Sequence, residues 1–457
     1  MKKNILLYLI DCFIYLFIMI VVIHNLSVRN DTNFFVYLTF IINTITSLIL
    51  MNFFDKKSIS LNKMFMIFIL FFMIIAPSYQ FGYKLSFWNQ KNYSSTSYIY
   101  ANFLIFIFLL IYGIASYNYF KKSKYITNKS YEINIGYTTK IILIFVSFIC
   151  VLIMIYKFGF INLINGNLNY SNQILGEIVN HLVRFIPTFV AYIFIHNSVN
   201  KRKIDLITIL SILLVIIMVF PFGGGARNYV AATYLFLFYP IFKKVKYNNF
   251  LLLLMTLGLL VFFSTIDAFR RTNFSFNNLH LKIGVFDTAD YDAYQMFLNS
   301  IEYVSENGIF FGMQIVGSLL FFIPRNLWVK KPLSSGILLA NYFKTRGTNY
   351  ELYNNLSCPI LGEFYLDFGC VGIALGAIII GLLFGLIESK SKSFLGDCIK
   401  AALLSFLIYV SRGSLMSTVS KLVACIFAIL LIYFLIKLFE RKHKFIVSIG
   451  NRKCAQI

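Results

Sequence analysis

The feature that most constrains this chain is a succession of apolar runs, each close to 20 residues long, that recurs from one end to the other. About 20 apolar residues are what an α-helix needs to cross the hydrocarbon core of a bilayer. Hydrophobic residues make up 59% of the chain and charged residues only 13%, so the polar side chains are too few to coat a soluble domain. The sequence therefore predicts an all-α, polytopic integral membrane protein.

We predict about twelve transmembrane helices in three parts of the chain. Residues 1–268 hold nine helices, 269–364 form one large loop, and 365–457 hold three helices and a tail. The predicted spans are 5–23, 34–54, 64–81, 98–120, 139–157, 182–199, 204–222, 229–242, 249–268, 365–387, 398–411 and 418–438.

Short basic clusters between the apolar runs predict the orientation. With the N-terminus in the cytoplasm, 25 of the 41 lysines and arginines fall in cytoplasmic segments, as expected for loops that are retained during insertion. The same distribution argues against nucleic-acid binding as the reason for the net charge of +23. We therefore predict a multi-pass protein of the cell (inner or cytoplasmic) membrane with both termini cytoplasmic and the loop 269–364 on the outer face.

One further apolar segment, Ile309–Ile323, tests this topology. It has only 15 residues and includes Gly312 and Gly317, so it is short for a span. If it crossed the membrane, the basic tail around Lys442 would lie outside, which the charge distribution opposes. We predict an interfacial or re-entrant helix that ends at Pro324.

The large loop is predicted to be partly helical and functional, because loops of this length usually are. Asp290–Phe297 resembles the start of an amphipathic helix, with acidic residues in its first turn. Arg270 and Arg271 follow directly after a span, and Ile323–Gly336 forms a basic segment between prolines. The alternative for these cations is electrostatic docking onto anionic lipid. The basic residues of the second segment are Arg325, Lys330 and Lys331.

A glycine-rich turn between two spans is the first candidate binding site. Gly223, Gly224 and Gly225 allow consecutive backbone N–H groups to converge on an anion, and Arg227 adds a guanidinium with forked donors. The alternative is a tight interhelical turn with a snorkelling arginine.

Two more arginines lie near the outer ends of predicted spans. Arg412 stands in the short turn Ser411–Ser414, and Arg184 lies beside His181. Ionisable residues at membrane depth suggest function by default. Together with Arg227 they would line one pocket that binds an anionic group.

Carboxylates at the end of the loop are candidates for proton transfer. Glu363 and Asp367 are four residues apart and therefore share a helical face. Glu363 is the first candidate for a general base on a hydroxyl, and His280 in the loop is the second. The alternatives are a capping acid for Glu363 and an incidental loop histidine for His280.

Other motifs, present or absent, limit the possible chemistry and predict how helices pack. The sequence contains no P-loop, no Rossmann glycine fingerprint and, among seven cysteines, no CxxC pair. We predict no metal and no cofactor. The spacings Gly372/Gly376 and Gly381/Gly385 predict close helix packing.

Four segments, in this order, resemble the Wzy family of O-antigen and capsule repeat-unit polymerases. They are GGGAR (Gly223–Arg227), IPRNLWVKKPLSSG (Ile323–Gly336), LGEFYLDFGCVG (Leu361–Gly372) and SRGS (Ser411–Ser414). This resemblance covers the C-terminal half of the chain. It implies a GT-C-like membrane glycosyltransferase that moves a growing glycan from undecaprenyl diphosphate to a sugar hydroxyl of a new lipid-linked unit at the outer face.

In that reaction a departing diphosphate needs fixed positive charge, which we expect from Arg227, Arg270, Arg271 and Arg412. The other substrate-binding candidates are Arg184, Arg325, Lys330, Lys331, Gly224 and Gly225. Expected partners are the undecaprenyl-diphosphate-linked oligosaccharide, membrane lipids, a flippase and a chain-length regulator, with no nucleic acid. The alternatives are an O-antigen ligase-like transferase and a non-enzymatic flippase or transporter of lipid-linked oligosaccharides, for which repeated halves would be expected.

Overall fold

The structure is a computed structural model of the whole chain. It describes residues 2–30, 33–52, 55, 57–88, 92–123, 135–165, 174–220, 227–259, 286–344, 356–390 and 393–454. All regular secondary structure in these ranges is helical, which confirms the predicted all-α membrane class.

The chain before the large loop contributes ten of the described helices, which we number in chain order. They are α1 (Lys2–Ser27), α2 (Phe34–Asn52), α3 (Leu61–Gly82), α4 (Ser95–Ser123), α5 (Tyr137–Phe158), α6 (Phe160–Asn165), α7 (Ile174–Lys201), α8 (Leu206–Met218), α9 (Arg227–Phe242) and α10 (Phe250–Leu257).

The large loop and the chain after it contribute six more among the described residues. They are α11 (Ala293–Asn307), α12 (Met313–Leu319), α13 (Ser335–Lys344), α14 (Ile360–Lys390), α15 (Phe394–Arg412) and α16 (Leu415–Cys454). A short 3₁₀ turn, Ala289–Tyr291, precedes α11.

Nine of the described helices are long and apolar enough to cross a bilayer: α1 to α5, α7, α14, α15 and α16. Three other predicted spans, 204–222, 229–242 and 249–268, correspond to the shorter α8, α9 and α10. At 13 residues, α8 extends about 20 Å, less than the ~30 Å hydrocarbon core. Residues 260–285 lie outside the described ranges, so the count of twelve stays a prediction.

Helix α3 forms the centre of the bundle. Its residues from Leu61 to Ala76 are all buried, in contrast to the apolar surface that Phe13 and Phe17 of α1 expose. Its middle turns, Ile69–Ile75, are wound as a π-helix. A helix that is apolar on all sides is buried inside a large bundle, and π-helical segments often mark functional regions.

Helix α14 has two segments because Gly369 breaks it. Its φ of +58° and ψ of −138° lie outside the helical region, which a residue without a Cβ can adopt. The short segment before the break folds back, so that a Cβ on Gly372 would lie 1.9 Å from the carbonyl oxygen of Phe364. The pair Gly372/Gly376 therefore packs against its own helix and not against a second one.

The second glycine pair does pack between helices. A Cβ on Gly381 would lie 3.1 Å from the carbonyl oxygen of Tyr112, and one on Gly385 would lie 2.5 Å from Cβ of Tyr119. Both tyrosines belong to α4. This spacing brings the backbones of α14 and α4 close together.

Polar contacts between helix ends gather at two opposite ends of the bundle. At one, which we call the loop end, residues of the large loop meet the end of α15 and the start of α9. At the other, which we call the basic end, lysines at or near the helix ends pair with acids: Lys57 and Lys400 with Glu388, Lys243 with Asp397, and Lys140 with Asp205. Every described contact of this kind fits a chain that alternates in direction from helix to helix.

The segment Ile309–Ile323 contains only the seven-residue helix α12, which is about 10 Å long and too short to cross. Phe311 and Leu319 expose most of their side chains. At the start of the loop, Asp290 and Asp292 precede α11 and do not form its first turn.

The packing of α14 on α4 generates a prediction. Gly385→Ala places a methyl group against Cβ of Tyr119, which cannot rotate away, so we expect a lower melting temperature of the purified protein in detergent. Gly258→Ala is the control, because its Cβ would meet nothing within 4 Å, and alanine favours a helix by about 1 kcal/mol. Equal melting temperatures for the two variants would contradict this packing.

Candidate active site

Arg227, the first residue of α9, pairs with a residue of the large loop. Its Nη2 lies 2.8 Å from Oδ2 of Asp290, and both side chains are about four-fifths buried. Gly224 and Gly225 lie just outside the described residues, so the predicted backbone nest stays a prediction. The structure joins the first arginine motif to the loop.

Arg412, the last residue of α15, binds the same short stretch of loop. Its Nη2 donates to the carbonyl oxygen of Ala289 at 2.7 Å and to Oδ1 of Asp292 at 3.1 Å. Its buried Nε has no hydrogen-bond partner among the described residues. Two arginines from turns far apart in sequence thus meet the four residues Ala289–Asp292.

Asp292 is the centre of this arrangement. Its side chain is 1% exposed, and Oδ1 also accepts from the Ser357 hydroxyl at 2.8 Å. Oδ2 accepts from the indole N–H of Trp88 at 3.1 Å. A buried carboxylate needs this many donors, because burying a charge without partners is costly.

Glu363 lies in the first turn of α14 and is fully buried. Its Oε1 accepts from the Ser335 hydroxyl at 2.5 Å and from the backbone N–H of Leu415 at 2.7 Å. The Ser335 hydroxyl also lies 2.9 Å from that of Ser414. Oε2 is buried with no hydrogen-bond partner in the part of the chain that the structure describes.

Those contacts bring three of the four motifs together. Ser335 comes from the basic loop segment, Glu363 from LGEFYLDFGCVG, and Ser414 from the turn that also holds Arg412. Glu363 binds the first N–H of α16, an N-terminal helix position where a carboxylate is favoured. It therefore caps a helix other than its own.

Asp367 lies on the same short segment of α14, as the four-residue spacing predicts. Its two oxygens accept from the backbone N–H groups of Gln314 and Ile315 at 2.9 and 2.8 Å. These are donors in the first turn of α12, so Asp367 fixes the start of that helix.

The cations of the basic loop segment fold that segment upon itself. Arg325 donates to the carbonyl oxygens of Lys331 and Pro332. The ammonium of Lys331 donates to those of Phe321 and Ile323, and burial beside Arg325 lowers the pKa of Lys331. Both side chains stabilise the fold of this segment, and their roles in binding substrate stay predictions.

Lys330 is exposed, as a residue that faces lipid headgroups would be. His280, Arg270 and Arg271 lie outside the described residues, so their roles stay predictions.

Arg184 lies close to α9. Its Nη2 donates to the carbonyl oxygen of Met218, the last residue of α8, at 3.3 Å. Its guanidinium lies 4.9 Å from the ring centre of Tyr229, whose ring centre is 5.5 Å from that of His181. The structure therefore places Arg184 beside the residue two positions after Arg227.

Sequence reasoning missed two features of this site. It assigned Asp290 and Asp292 to the start of a helix and did not predict that they pair with arginines. The signal was the composition: the chain has 41 Lys and Arg but only 18 Asp and Glu, so each acid has many possible basic partners. Sequence reasoning also passed over Lys421, whose Nζ donates to the Tyr409 hydroxyl at 2.6 Å. The signal for Lys421 was a lysine inside an otherwise apolar run.

No group of three or more His, Cys, Asp and Glu residues that could hold a metal ion occurs within the described ranges. The expectation that no metal is needed stays a prediction.

The fold and these contacts define a polytopic helical membrane protein with a buried, ion-paired arginine site at one end of its bundle. The profile of the O-antigen polysaccharide polymerase Wzy family matches residues 8–443, nearly the whole chain, and the chain belongs to that family. The match confirms the predicted resemblance and extends it into the N-terminal half. Membership establishes a role in O-antigen polysaccharide biosynthesis as a polymerase of the glycosyltransferase kind. No curated protein and no solved structure matches this chain.

The contacts of Asp292 generate a prediction of stability. Asp292→Ala leaves a buried guanidinium, a hydroxyl and an indole N–H without their acceptor, and breaking a buried pair in this way costs about 3–5 kcal/mol. Asp290→Ala, the matched control, removes a more exposed carboxylate that binds one arginine and should cost less. The melting temperatures of the two purified variants in detergent test this order, and a reversed order would contradict the central role of Asp292.

Proposed function

We propose that this protein transfers a growing glycan from undecaprenyl diphosphate to a sugar hydroxyl of a new lipid-linked repeat unit at the outer face of the membrane. The observation that carries the proposal is the meeting of Arg227 and Arg412 at Ala289–Asp292. Family membership supports a polymerase in general, and these two arginines support a lipid diphosphate as the leaving group.

The chemistry of the transfer requires fixed positive charge. The bond between the anomeric carbon and the phosphate oxygen breaks, and negative charge develops on the departing diphosphate. Hydrogen-bond donors that are already in position stabilise the transition state far more than donors that must reorganise. Arginine suits this role because it presents five N–H groups in a rigid fork. Asp290 and Asp292 hold the two guanidinium groups in place before substrate binds.

The acceptor hydroxyl must lose its proton as the new glycosidic bond forms. We propose Glu363 as the base, with Oε2 as the atom that takes the proton, since Oε1 already accepts two hydrogen bonds. His280 is the second candidate. A base positioned in this way contributes roughly 10²- to 10⁴-fold to the rate.

The remaining candidates complete the proposed substrate site. Arg184 would bind anionic substrate next to α9, and Arg270 and Arg271 would add charge from the loop. Lys330 would face the headgroups. The proposed partners are the undecaprenyl-diphosphate-linked oligosaccharide and membrane lipids, together with a flippase and a chain-length regulator.

We propose the cell membrane as the location, with both termini in the cytoplasm. The clustering of lysines at the basic end supports this orientation, because cytoplasmic loops carry excess Lys and Arg. The loop end would then face outwards, where lipid-linked units are joined.

The proposed function is tested by deleting the gene and separating surface glycans by gel electrophoresis. We expect loss of the long ladder with single repeat units retained, because the units would still be made and exported but not joined. Complete absence of surface sugar would indicate a flippase instead and would contradict the proposal.

The diphosphate role of Arg227 is tested by Arg227→Lys, which keeps the charge and loses the forked donors. We expect polymerisation to fall about 100-fold, as for the loss of one donor to a developing anion. Arg202→Lys is the control, since Arg202 is exposed in a turn at the basic end. Normal chain lengths from Arg227→Lys at wild-type protein levels would rule out this role.

The variant Glu363→Gln distinguishes a role as general base from a role as helix cap. The amide oxygen can still accept from Ser335 and Leu415, so we expect a folded protein, but it cannot take a proton and polymerisation should fall at least about 100-fold. Asp367→Asn is the comparison on the same helical segment: it keeps one of the two oxygens that accept from α12 and loses the other, so it reports what the loss of a cap contact alone does to polymerisation. If Glu363→Gln polymerises at the wild-type rate, Glu363 is a cap and not the base.

A further inference from the structure

An apolar groove lies inside the membrane-spanning part of the protein, between α9, α10 and α15. It encloses about 180 Å³ and is open on one side. One wall is a single face of α9, because its lining residues recur at intervals of three and four positions. The residues of this series are Asn228, Ala231, Leu235, Phe238 and Phe242, and Ala232 and Tyr234 line the groove beside them.

The other walls are almost entirely apolar. Leu254 and Gly258 come from α10 and the residue after it, and Ile408 and Tyr409 come from α15. A Cβ on Gly258 would meet nothing within 4 Å. The absence of a side chain at this position therefore leaves space in the groove.

The lining residues of α9 extend along much of the membrane-spanning direction. Asn228 and Phe242 are 14 positions apart on α9, which corresponds to about 21 Å. That is roughly two-thirds of the ~30 Å hydrocarbon core. The groove runs from the basic end of the bundle towards the loop end.

A positive charge that is hydrogen-bonded to a neutral side chain lies near the loop end of this groove. Lys421 lies about 9 Å along α16 from its first residue. Its ammonium binds the neutral Tyr409, with Nζ 2.6 Å from the hydroxyl and 5.2 Å from the ring centre. At the other end, Lys243 follows Phe242 but is paired with Asp397 at 2.9 Å.

A ligand that fits this arrangement has a long apolar chain and an anionic group at one end. Resting on the proposed function, we propose that the groove binds the isoprenoid chain of the polyprenyl diphosphate substrate, and that Lys421 binds a phosphate oxygen of that substrate. Arg227 precedes the groove residue Asn228 directly. An isoprenoid chain bound in the groove would therefore place its diphosphate at the arginine site.

Photolabelling tests the groove. The full-length protein in lipid nanodiscs is irradiated with a polyprenyl diphosphate that carries a photoreactive group in its isoprenoid chain. We expect label on peptides of α9, α10 and α15, competed by unlabelled polyprenyl diphosphate and not by phosphatidylglycerol. Label elsewhere, or equal competition by phosphatidylglycerol, would overturn the proposal.

Paired phenylalanine variants provide the matched control. Gly258→Phe fills the groove and should reduce labelling about tenfold, whereas Leu257→Phe, at an exposed neighbouring position outside the groove, should label like wild type. Equal labelling of the two overturns the proposal. If Gly258→Phe does not fold, Ala231→Leu tests the opposite wall in the same way.

Lys421→Met tests the headgroup contact. We expect its affinity for polyprenyl diphosphate to fall about tenfold, which corresponds to roughly 1.4 kcal/mol, with no change for uncharged polyprenol. An equal change for both ligands, or no change for either, overturns this part of the proposal.

Polymerisation from lipid-linked units, measured on the same preparations, separates the two proposals. If polymer forms while the label maps elsewhere, the groove assignment is wrong and the proposed function stands. If the groove is labelled as expected and no polymer forms, the lipid site stands and the proposed function is wrong.

Discussion

The loop end of this protein depends on one buried carboxylate. Asp292 accepts hydrogen bonds from Arg412, Trp88 and Ser357, which belong to three separate parts of the chain. A buried charge is tolerated only while it is paired and hydrogen-bonded, so these parts cannot separate without a large energetic cost. These contacts therefore fix the large loop to the loop end of the bundle. Asp290, two residues before Asp292, binds Arg227.

Charge is distributed so that the two ends of the bundle have different tasks. At the basic end, Glu388 binds Lys57 and Lys400, and such pairs join helices that a bilayer alone would not hold together. At the loop end, the paired groups also include those proposed to bind a diphosphate and to take a proton. Between the two ends lies an apolar interior with a groove that suits a lipid chain. The proposed chemistry thus takes place where loop, arginines and groove meet.

Features of the fold and site that depend on neighbouring residues could be predicted from the sequence, whereas those that depend on residues far apart in the chain could not. Apolar runs are local, and they predicted the membrane class and, within a predicted count of twelve, the nine described helices that are long enough to cross. The four motifs were also visible locally, but no local pattern shows that Arg227 and Arg412 bind Asp290 and Asp292. Long-range pairing of this kind needs the fold. The same holds for Gly372, which packs on its own helix only because Gly369 adopts a positive φ. The hydrogen bonds of Lys331 to backbone carbonyls are likewise invisible in the sequence, which shows only its charge.

The central claim is that a lipid diphosphate leaves each time a glycan bond forms. The most direct measurement uses the purified protein in nanodiscs with a synthetic lipid-linked repeat unit and no nucleotide. Polymer linkages and free polyprenyl diphosphate are quantified in the same samples over time. The account predicts that the two rise together in equal amounts. Polymer growth without release of the lipid diphosphate, or growth only when a nucleotide sugar is added, would contradict it.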